Sequence, residues 1–126
     1  MDTDWVIHYF NRVGPVVDRI AELTPRGLGM SVISLAELYE GVLGAFDPPR
    51  SEAEVQAFLE RVDLLEVDDA VCRIFGRERR RLRAEGNLIG DLDLLIGSTA
   101  LRHGLTVLTN NRRHFERIEG LAIESV

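Results

Sequence analysis

An α/β fold of three layers, with helices on both faces of a mainly parallel sheet, is predicted by two features of this sequence. Short apolar runs rich in Val, Ile and Leu alternate with longer segments whose apolar residues recur at helical spacing. The first pattern is typical of buried parallel strands and the second of amphipathic helices, so strands and helices are expected to alternate. Residues 1–126 are expected to form a single domain, because no segment is long enough to separate two cores.

In the first half of the chain, the predicted boundaries depend on residues that start helices. Proline is favoured in the first turn of a helix, so Pro15 is expected to open one. Ser34 and Glu37 match a capping box, in which both side chains bind backbone N–H groups. The elements expected here are a helical turn after Asp2, a helix from Pro15 to about Leu23, a strand within 28–33, a helix from Ser34, a helix from Ser51 through Val62 and a strand within 64–67.

In the second half, glycines mark helix ends because glycine adopts the left-handed conformation at low cost. The long helix after Asp68 and Asp69, either of which could cap it, would place Cys72 on its apolar face. Asp91 is favoured as the cap of the following helix, and Asp93 faces another side of that first turn. The elements expected here are a helix ended by Gly86, a helix from about Asp91 to Arg102 closed by Gly104, a strand within 105–109 and an edge strand within 121–124.

The charged residues and the cysteine content exclude several classes of protein. The formal net charge is −6, and all 15 basic residues are arginines. Without lysine, the chain has neither a Schiff-base nucleophile nor the lysine of a phosphate-binding loop. A single cysteine excludes an internal disulfide, and no charged leader precedes a long apolar run. These features predict a cytoplasmic protein without a membrane span.

Three acidic residues occupy similar positions relative to the predicted sheet. Asp2, Glu37 and Asp93 each fall just after an expected strand or in the first turn of a helix that borders the sheet. Such positions converge where parallel strands end. Neighbouring carboxylates repel one another unless a cation lies between them, and a site built only from oxygen ligands favours Mg²⁺ or Mn²⁺. The acids therefore predict metal-dependent hydrolysis of a phosphodiester, with helix capping as the alternative role.

Four segments resemble, in order and in spacing, the PIN-domain ribonucleases, and specifically the VapC-type toxins of bacterial toxin–antitoxin pairs. They are Asp2-Thr3-Asp4 before an apolar turn, 32–38 with Gly41, 89–96 with Ala100, and 108–115. The resemblance covers nearly the whole chain and implies a PIN-like fold. It also implies an endoribonuclease that depends on Mg²⁺ or Mn²⁺, is inhibited by a cognate VapB-type antitoxin and is usually a homodimer.

The resemblance assigns roles to individual residues. Asp2, Glu37 and Asp93 correspond to the catalytic acids of the family, with Asp2 and Asp93 as metal ligands. The residues expected to support them are Asp4, Asp91 and Asn111.

Two features depart from the family pattern. Many members carry a further acid where this chain has Asn111, whose amide can hold a metal-bound water but adds no negative charge. The apolar strand that precedes the first acid in the family is represented here only by Met1.

An arginine-rich segment lies between Arg73 and Arg83. An acidic enzyme that acts on RNA needs a local basic patch to bind phosphates, so Arg77, Arg80 and Arg81 are expected to contact RNA or the antitoxin. A solvated helix face with ion pairs is the alternative.

Two further functions compete with the nuclease. A haloacid-dehalogenase-type phosphatase would use acids such as those in 2–4 and 90–93, but it requires a lysine, which the chain lacks. A non-catalytic α/β module that binds a partner would use the acids only as helix caps. Such a module would bind Mg²⁺ no better than any other acidic surface.

Overall fold

The computed structural model describes all residues from Met1 to Val126 and confirms the predicted alternation of helices and strands. The helices are α1 (Thr3–Phe10), α2 (Gly14–Leu23), α3 (Val32–Leu43), α4 (Pro48–Leu59), α5 (Asp69–Ala84), α6 (Asp91–His103) and α7 (Arg112–Phe115), with a 3₁₀ turn at Thr24–Arg26. The strands are β1 (Gly29–Ser31), β2 (Asp63–Leu65), β3 (Val107–Leu108) and β4 (Ile123–Glu124). None of the helices combines the length and the apolar character that a membrane span requires.

The strands form two parallel pairs, β1 with β2 and β3 with β4. The first two residues of the chain lie between these pairs. The amino group of Met1 donates a hydrogen bond to the Gly29 carbonyl at 3.0 Å, and the Asp2 N–H donates to the Leu108 carbonyl at 2.9 Å. Met1 and Asp2 therefore occupy the middle position of the sheet, between β1 and β3.

Helices pack on both faces of the strands. The adjacent residues Val107 and Leu108 of β3 are both buried, yet they belong to different apolar clusters. Side chains alternate between the two faces of a strand, so the two clusters lie on opposite faces of the sheet. One cluster includes Leu94 of α6, and the other includes Trp5 of α1 and Val16 of α2. This arrangement is the predicted three-layer α/β fold with parallel strands.

The expected capping box of α3 is wrong. Val32 already belongs to α3, and Ser31 caps it by accepting a hydrogen bond from the Ile33 N–H at 3.1 Å. The helix begins earlier than the sequence indicated because Ser31 directly follows β1 and is a suitable cap. Ser34 is therefore inside the helix, and Glu37 is released from a capping role.

Two further expectations in the helices are also wrong. The helix expected to start at Ser51 begins at Pro48, because Asp47 caps it by accepting from the Arg50 N–H at 3.3 Å. Prolines in the first turn of a helix cost no hydrogen bond, so the proline pair belongs to α4. Cys72, expected on the apolar face of α5, is exposed.

Gly97 allows α6 to approach the segment that carries α7. A Cβ at this position would collide with the Cδ1 atom of Ile118 and would come within 3.5 Å of Phe115. Gly97 is buried and all of these neighbours belong to the core or pack against it.

We expect Gly97→Ala to destabilise the fold by about 1–2 kcal/mol, because overpacking outweighs the better helix propensity of alanine. Urea unfolding monitored by circular dichroism measures the effect. Gly76→Ala is the matched control, since a Cβ on that glycine of α5 meets no atom within 4 Å. A stabilised Gly97→Ala variant would contradict the close approach.

Candidate functional site

Asp2 lies at the end of the middle strand position and is almost completely buried, with 4% of its surface exposed. Its Oδ1 accepts a hydrogen bond from the Thr3 N–H at 2.7 Å and thereby caps α1. Its Oδ2 accepts from the Thr109 hydroxyl at 2.8 Å. Burial raises the pKa of Asp2 from 3.8 to about 7, and the nearby Asp4 carboxylate adds to the increase. The hydrogen bonds from Thr109 and Thr3 act in the opposite direction but are outweighed.

Asp4 faces the residues that follow β3. Its Oδ2 accepts from the Asn110 N–H at 3.1 Å, and its Oδ1 lies 3.4 Å from the Thr109 hydroxyl. The Asn110 side chain is itself occupied, because its Oδ1 accepts from the Trp5 indole N–H at 3.2 Å. These bonds hold the start of α1 against the end of β3, so Asp4 supports the position of Asp2.

Glu37 reaches the same region from α3. Its Oε1 accepts a hydrogen bond from the Thr3 hydroxyl at 2.8 Å, and this hydroxyl also lies 3.0 Å from Ser34 Oγ. Thr3 directly follows Asp2, so Glu37 stands beside the first acid. The shifted start of α3 is what makes this contact possible.

Asp93 lies in the first turn of α6, with 24% of its side chain exposed. Its Oδ2 is 2.8 Å from Nδ1 of His114 and 3.5 Å from the side-chain nitrogen of Asn111. The Asn111 N–H in turn donates to the Thr109 hydroxyl at 3.0 Å. A continuous series of hydrogen bonds therefore runs from Asp93 through Asn111 and Thr109 to Asp2.

The donor atoms in this region are of the type that a hard divalent cation prefers. All candidate ligands are carboxylate or amide oxygens, and a positive charge beside the buried Asp2 would favour its ionised form. No three acidic, histidine or cysteine side chains are close enough to enclose an ion. A cation here would be held by one or two carboxylates, with waters completing its shell, which is the usual coordination of Mg²⁺.

Two residues expected at the site have other roles. Asp91 is exposed and forms an ion pair with Arg79 at 2.8 Å, while Gly90 occupies the N-cap position of α6. Asp91 therefore does not cap α6, and its carboxylate is bound by Arg79.

Arg81 is also engaged inside the protein. It binds Glu78, which is 2% exposed, at 3.0 Å, and donates to the Arg117 carbonyl at 2.8 Å. Burial acts to raise the pKa of Glu78. Hydrogen bonds donated by Arg81 and by the Glu119 N–H outweigh this effect and keep the pKa below its usual value. Arg81 therefore balances a buried charge and is not available to RNA.

Two residues that the sequence did not single out connect the acids, namely Thr3 and Thr109. Both hydroxyls bind carboxylates from distant segments. The ring of His114 also binds a carboxylate of the site, that of Asp93. The only local sign that a residue connects acids in this way is that it is small and polar and lies next to an acid or at the end of a strand. Small polar residues are equally common in loops, so this sign is weak.

Comparisons with known proteins identify the family to which the chain is similar. Residues 1–121 match the PIN domain family. Ribonuclease VapC1 of Haemophilus influenzae strain R2866 is 32% identical over 123 residues, which cover 96% of this chain and 92% of the relative. The tRNA(fMet)-specific endonuclease VapC of Salmonella typhimurium strain LT2 is 38% identical over 95 residues, which cover 75% of this chain and 72% of the relative.

The fold is also similar to solved structures of VapBC proteins. VapBC2 from Rickettsia felis, solved with a DNA fragment from its promoter, superposes with a TM-score of 0.92 at 28% identity, covering 99% of this chain and 96% of the matched chain. VapBC-1 from nontypeable Haemophilus influenzae superposes with a TM-score of 0.89 at 29% identity, covering 98% and 94%. Because the match extends over both the site and the whole fold, this chain belongs to the PIN-domain family, among the VapC ribonucleases.

Proposed function

We propose that this chain is a metal-dependent endoribonuclease that acts as the toxin of a toxin–antitoxin pair. The observation that carries the proposal is a set of hydrogen bonds that connects three acids from distant segments. Thr3 links Asp2 to Glu37, and Thr109 and Asn111 link Asp2 to Asp93. Helix capping explains only Asp2, since neither Glu37 nor Asp93 caps a helix. Two relatives named as a ribonuclease and an endonuclease support the same activity.

The cation would be Mg²⁺ or Mn²⁺, held by Asp2 and Asp93. When bound, such an ion activates water and stabilises the negative charge that develops on the phosphate. Glu37 stands on the other side of Thr3 and is available to orient water or accept a proton. Asn111 and His114 hold the Asp93 carboxylate in position through its Oδ2 atom.

The test of this function is cleavage of a labelled RNA by the purified chain with Mg²⁺, with Mn²⁺ and with a chelator. We expect internal cleavage with either cation and none with the chelator. In cells, expression of the chain alone is expected to arrest growth. Cleavage that continues in the chelator, or harmless expression, would contradict the proposal.

We infer that the protein partner is a VapB-type antitoxin and that the chain forms a homodimer. The solved relatives include VapBC complexes from Rickettsia felis, Salmonella typhimurium and Haemophilus influenzae. Co-expression with the neighbouring open reading frame is expected to relieve growth arrest. Size-exclusion chromatography with light scattering of the purified chain tests the dimer.

The arginines of α5 are proposed to bind the RNA backbone. Arg77 and Arg80 are exposed and form no ion pair, unlike Arg73 and Arg81. Arg80 also lines a depression on the surface of α5 together with Phe75, Arg79 and Arg83. This depression adjoins α6 through the pair between Arg79 and Asp91.

We expect Arg77→Ala and Arg80→Ala each to weaken RNA binding several-fold and to reduce the slope of log K against log salt by about 1, because each removes one phosphate contact. Filter binding of a catalytically inactive protein at several salt concentrations measures this. Arg50→Ala on α4 is the control, since Arg50 is an exposed arginine on another part of the protein. Equal slopes for all three variants would contradict the assignment.

A further inference from the structure

A buried carboxylate of α5 lies outside the acid site and has no part in the chemistry described above. Glu78 is almost completely buried, and its two oxygens accept three hydrogen bonds. Arg81 donates two of them, at 3.0 and 3.2 Å, and the Glu119 N–H donates the third at 2.8 Å. A charge that is removed from water needs such partners, so the carboxylate of Glu78 is fixed by them in one orientation.

The same cluster holds the main chain that follows α7. Arg81 donates to the Arg117 carbonyl at 2.8 Å, two residues before the N–H that Glu78 binds. The side chain of Arg117 continues the series, because its Nη1 donates to the carbonyls of Asn87 at 3.4 Å and Leu88 at 3.2 Å. Segment 117–119 is therefore bound to α5 on one side and to the loop before α6 on the other.

Both of these regions lead directly to the contact between His114 and Asp93. The Arg117 N–H donates to the His114 carbonyl at 3.2 Å, so the bound segment continues from the end of α7. The loop before α6 ends at Gly90, the N-cap of the helix whose first turn carries Asp93. Nδ1 of His114 lies 2.8 Å from Oδ2 of Asp93. The position of this ring relative to this carboxylate therefore depends on how α7 and the start of α6 are held against α5.

The stability of the fold does not by itself require charges at this place. Leu82 of α5 and Ile118 are buried in one apolar cluster, so apolar side chains beside them would be covered as well. Replacing a buried ion pair by apolar residues of similar volume is often neutral or stabilising. Directional bonds from charged groups to two main-chain groups, by contrast, specify where segment 117–119 lies.

We propose that Glu78 and Arg81 are positioning residues for the carboxylate of Asp93. They fix segment 117–119, and through it His114, which holds Asp93 in the orientation that binds a cation. The inference rests on the proposed function for the role of Asp93 as a ligand. The placement of His114, however, is measurable without metal and without RNA.

The test replaces the charged pair by apolar residues in the full chain, as Glu78→Leu/Arg81→Met. The chain has three histidines, so a proton–carbon correlation spectrum gives few ring signals, and His114→Asn identifies that of His114. In a chelator and at one fixed pH, we expect the His114 signal of the double variant to move towards its position in Asp93→Ala, where the contact is absent. The thermal unfolding midpoint is expected to stay within about 5 °C of the wild-type value.

RNA cleavage gives a second readout. With Mg²⁺, we expect kcat of the double variant to fall roughly tenfold and KM to change by less than about twofold, because misplacement of a cation ligand acts on the transition state. Val71→Ala is the control for a general loss of stability, since Val71 is fully buried on α5 and its side chain takes part in none of these bonds. It is expected to lower the unfolding midpoint and to leave the His114 signal and kcat unchanged.

Arg117→Ala decides the question if the double variant does not fold. Arg117 is only partly buried, and the variant removes its side-chain bonds to 87–88 while the main-chain bonds remain. A smaller shift of the His114 signal in the same direction is expected. An unshifted signal in the folded variants, or an equal shift in Val71→Ala, would overturn the proposal. A wild-type chain that does not cleave RNA would contradict the nuclease proposal alone, because the His114 signal does not depend on activity.

Discussion

Asp93→Asn is expected to lower metal-dependent RNA cleavage on the order of 10³-fold, or about 4 kcal/mol in transition-state stabilisation. Asparagine keeps the size of the side chain and the contacts with His114 and Asn111, but it removes the negative charge that binds a cation. Initial rates on a labelled RNA at saturating Mg²⁺ or Mn²⁺ measure the effect, and circular dichroism verifies that the fold is intact. Asp2→Asn is expected to cause a loss of similar size.

The structure provides a matched control two positions away. Asp91→Asn changes the same residue type in the same turn of α6, but Asp91 is exposed and paired with Arg79. Its variant is expected to retain activity within about twofold. Equal loss in Asp91→Asn and Asp93→Asn would indicate a general effect of charge in this turn, and undiminished cleavage by Asp93→Asn would remove Asp93 from the catalytic site.

The second large effect concerns stability and pH. The pKa of Asp2 rises from 3.8 to about 7 on folding, so the native state binds more protons than the unfolded state between these values. The contribution of Asp2 to the free energy of unfolding therefore falls as pH rises from about 4 to about 7, by an amount on the order of 4 kcal/mol. Below about pH 4 and above about pH 7, the contribution of Asp2 to the free energy of unfolding does not change with pH.

Asp2→Asn removes this contribution and is expected to be more stable than the wild-type protein at pH 8 in a chelator. Urea unfolding of both proteins at pH 4.5, 6 and 8 measures the difference, which is expected to grow with pH. Asp18→Asn, at an exposed position of α2, is the control for the loss of one surface charge. A constant difference between wild type and Asp2→Asn across this range would contradict the pH dependence.

Added Mg²⁺ or Mn²⁺ extends this second prediction. A cation beside Asp2 offsets the cost of burying its charge, so the ion is expected to stabilise the wild-type protein at pH 8. The same ion is expected to have much less effect on Asp2→Asn. This readout requires no RNA, and it separates metal binding from catalysis.

The sequence by itself determined the order of helices and strands and the candidate acids. Apolar spacing and the residues that start and stop helices act over a few positions, so α2, α5 and α6 begin and end close to where they were expected. The placement of Asp2 and Asp93 at helix starts is a local pattern of the same kind. The family resemblance depended on these patterns.

Only the tertiary structure decided which of these groups meet. Asp91 and Asp93 have the same chemistry and nearly the same position, and only the packing of α5 against α6 pairs the first with Arg79 and leaves the second for Asn111 and His114. Glu37 could cap α3 or reach Thr3, and a shift in the start of the helix selected Thr3. Thr109 meets Asp2 across more than a hundred residues of chain. Contacts of this range depend on how all the elements pack together, and no short stretch of sequence contains that information.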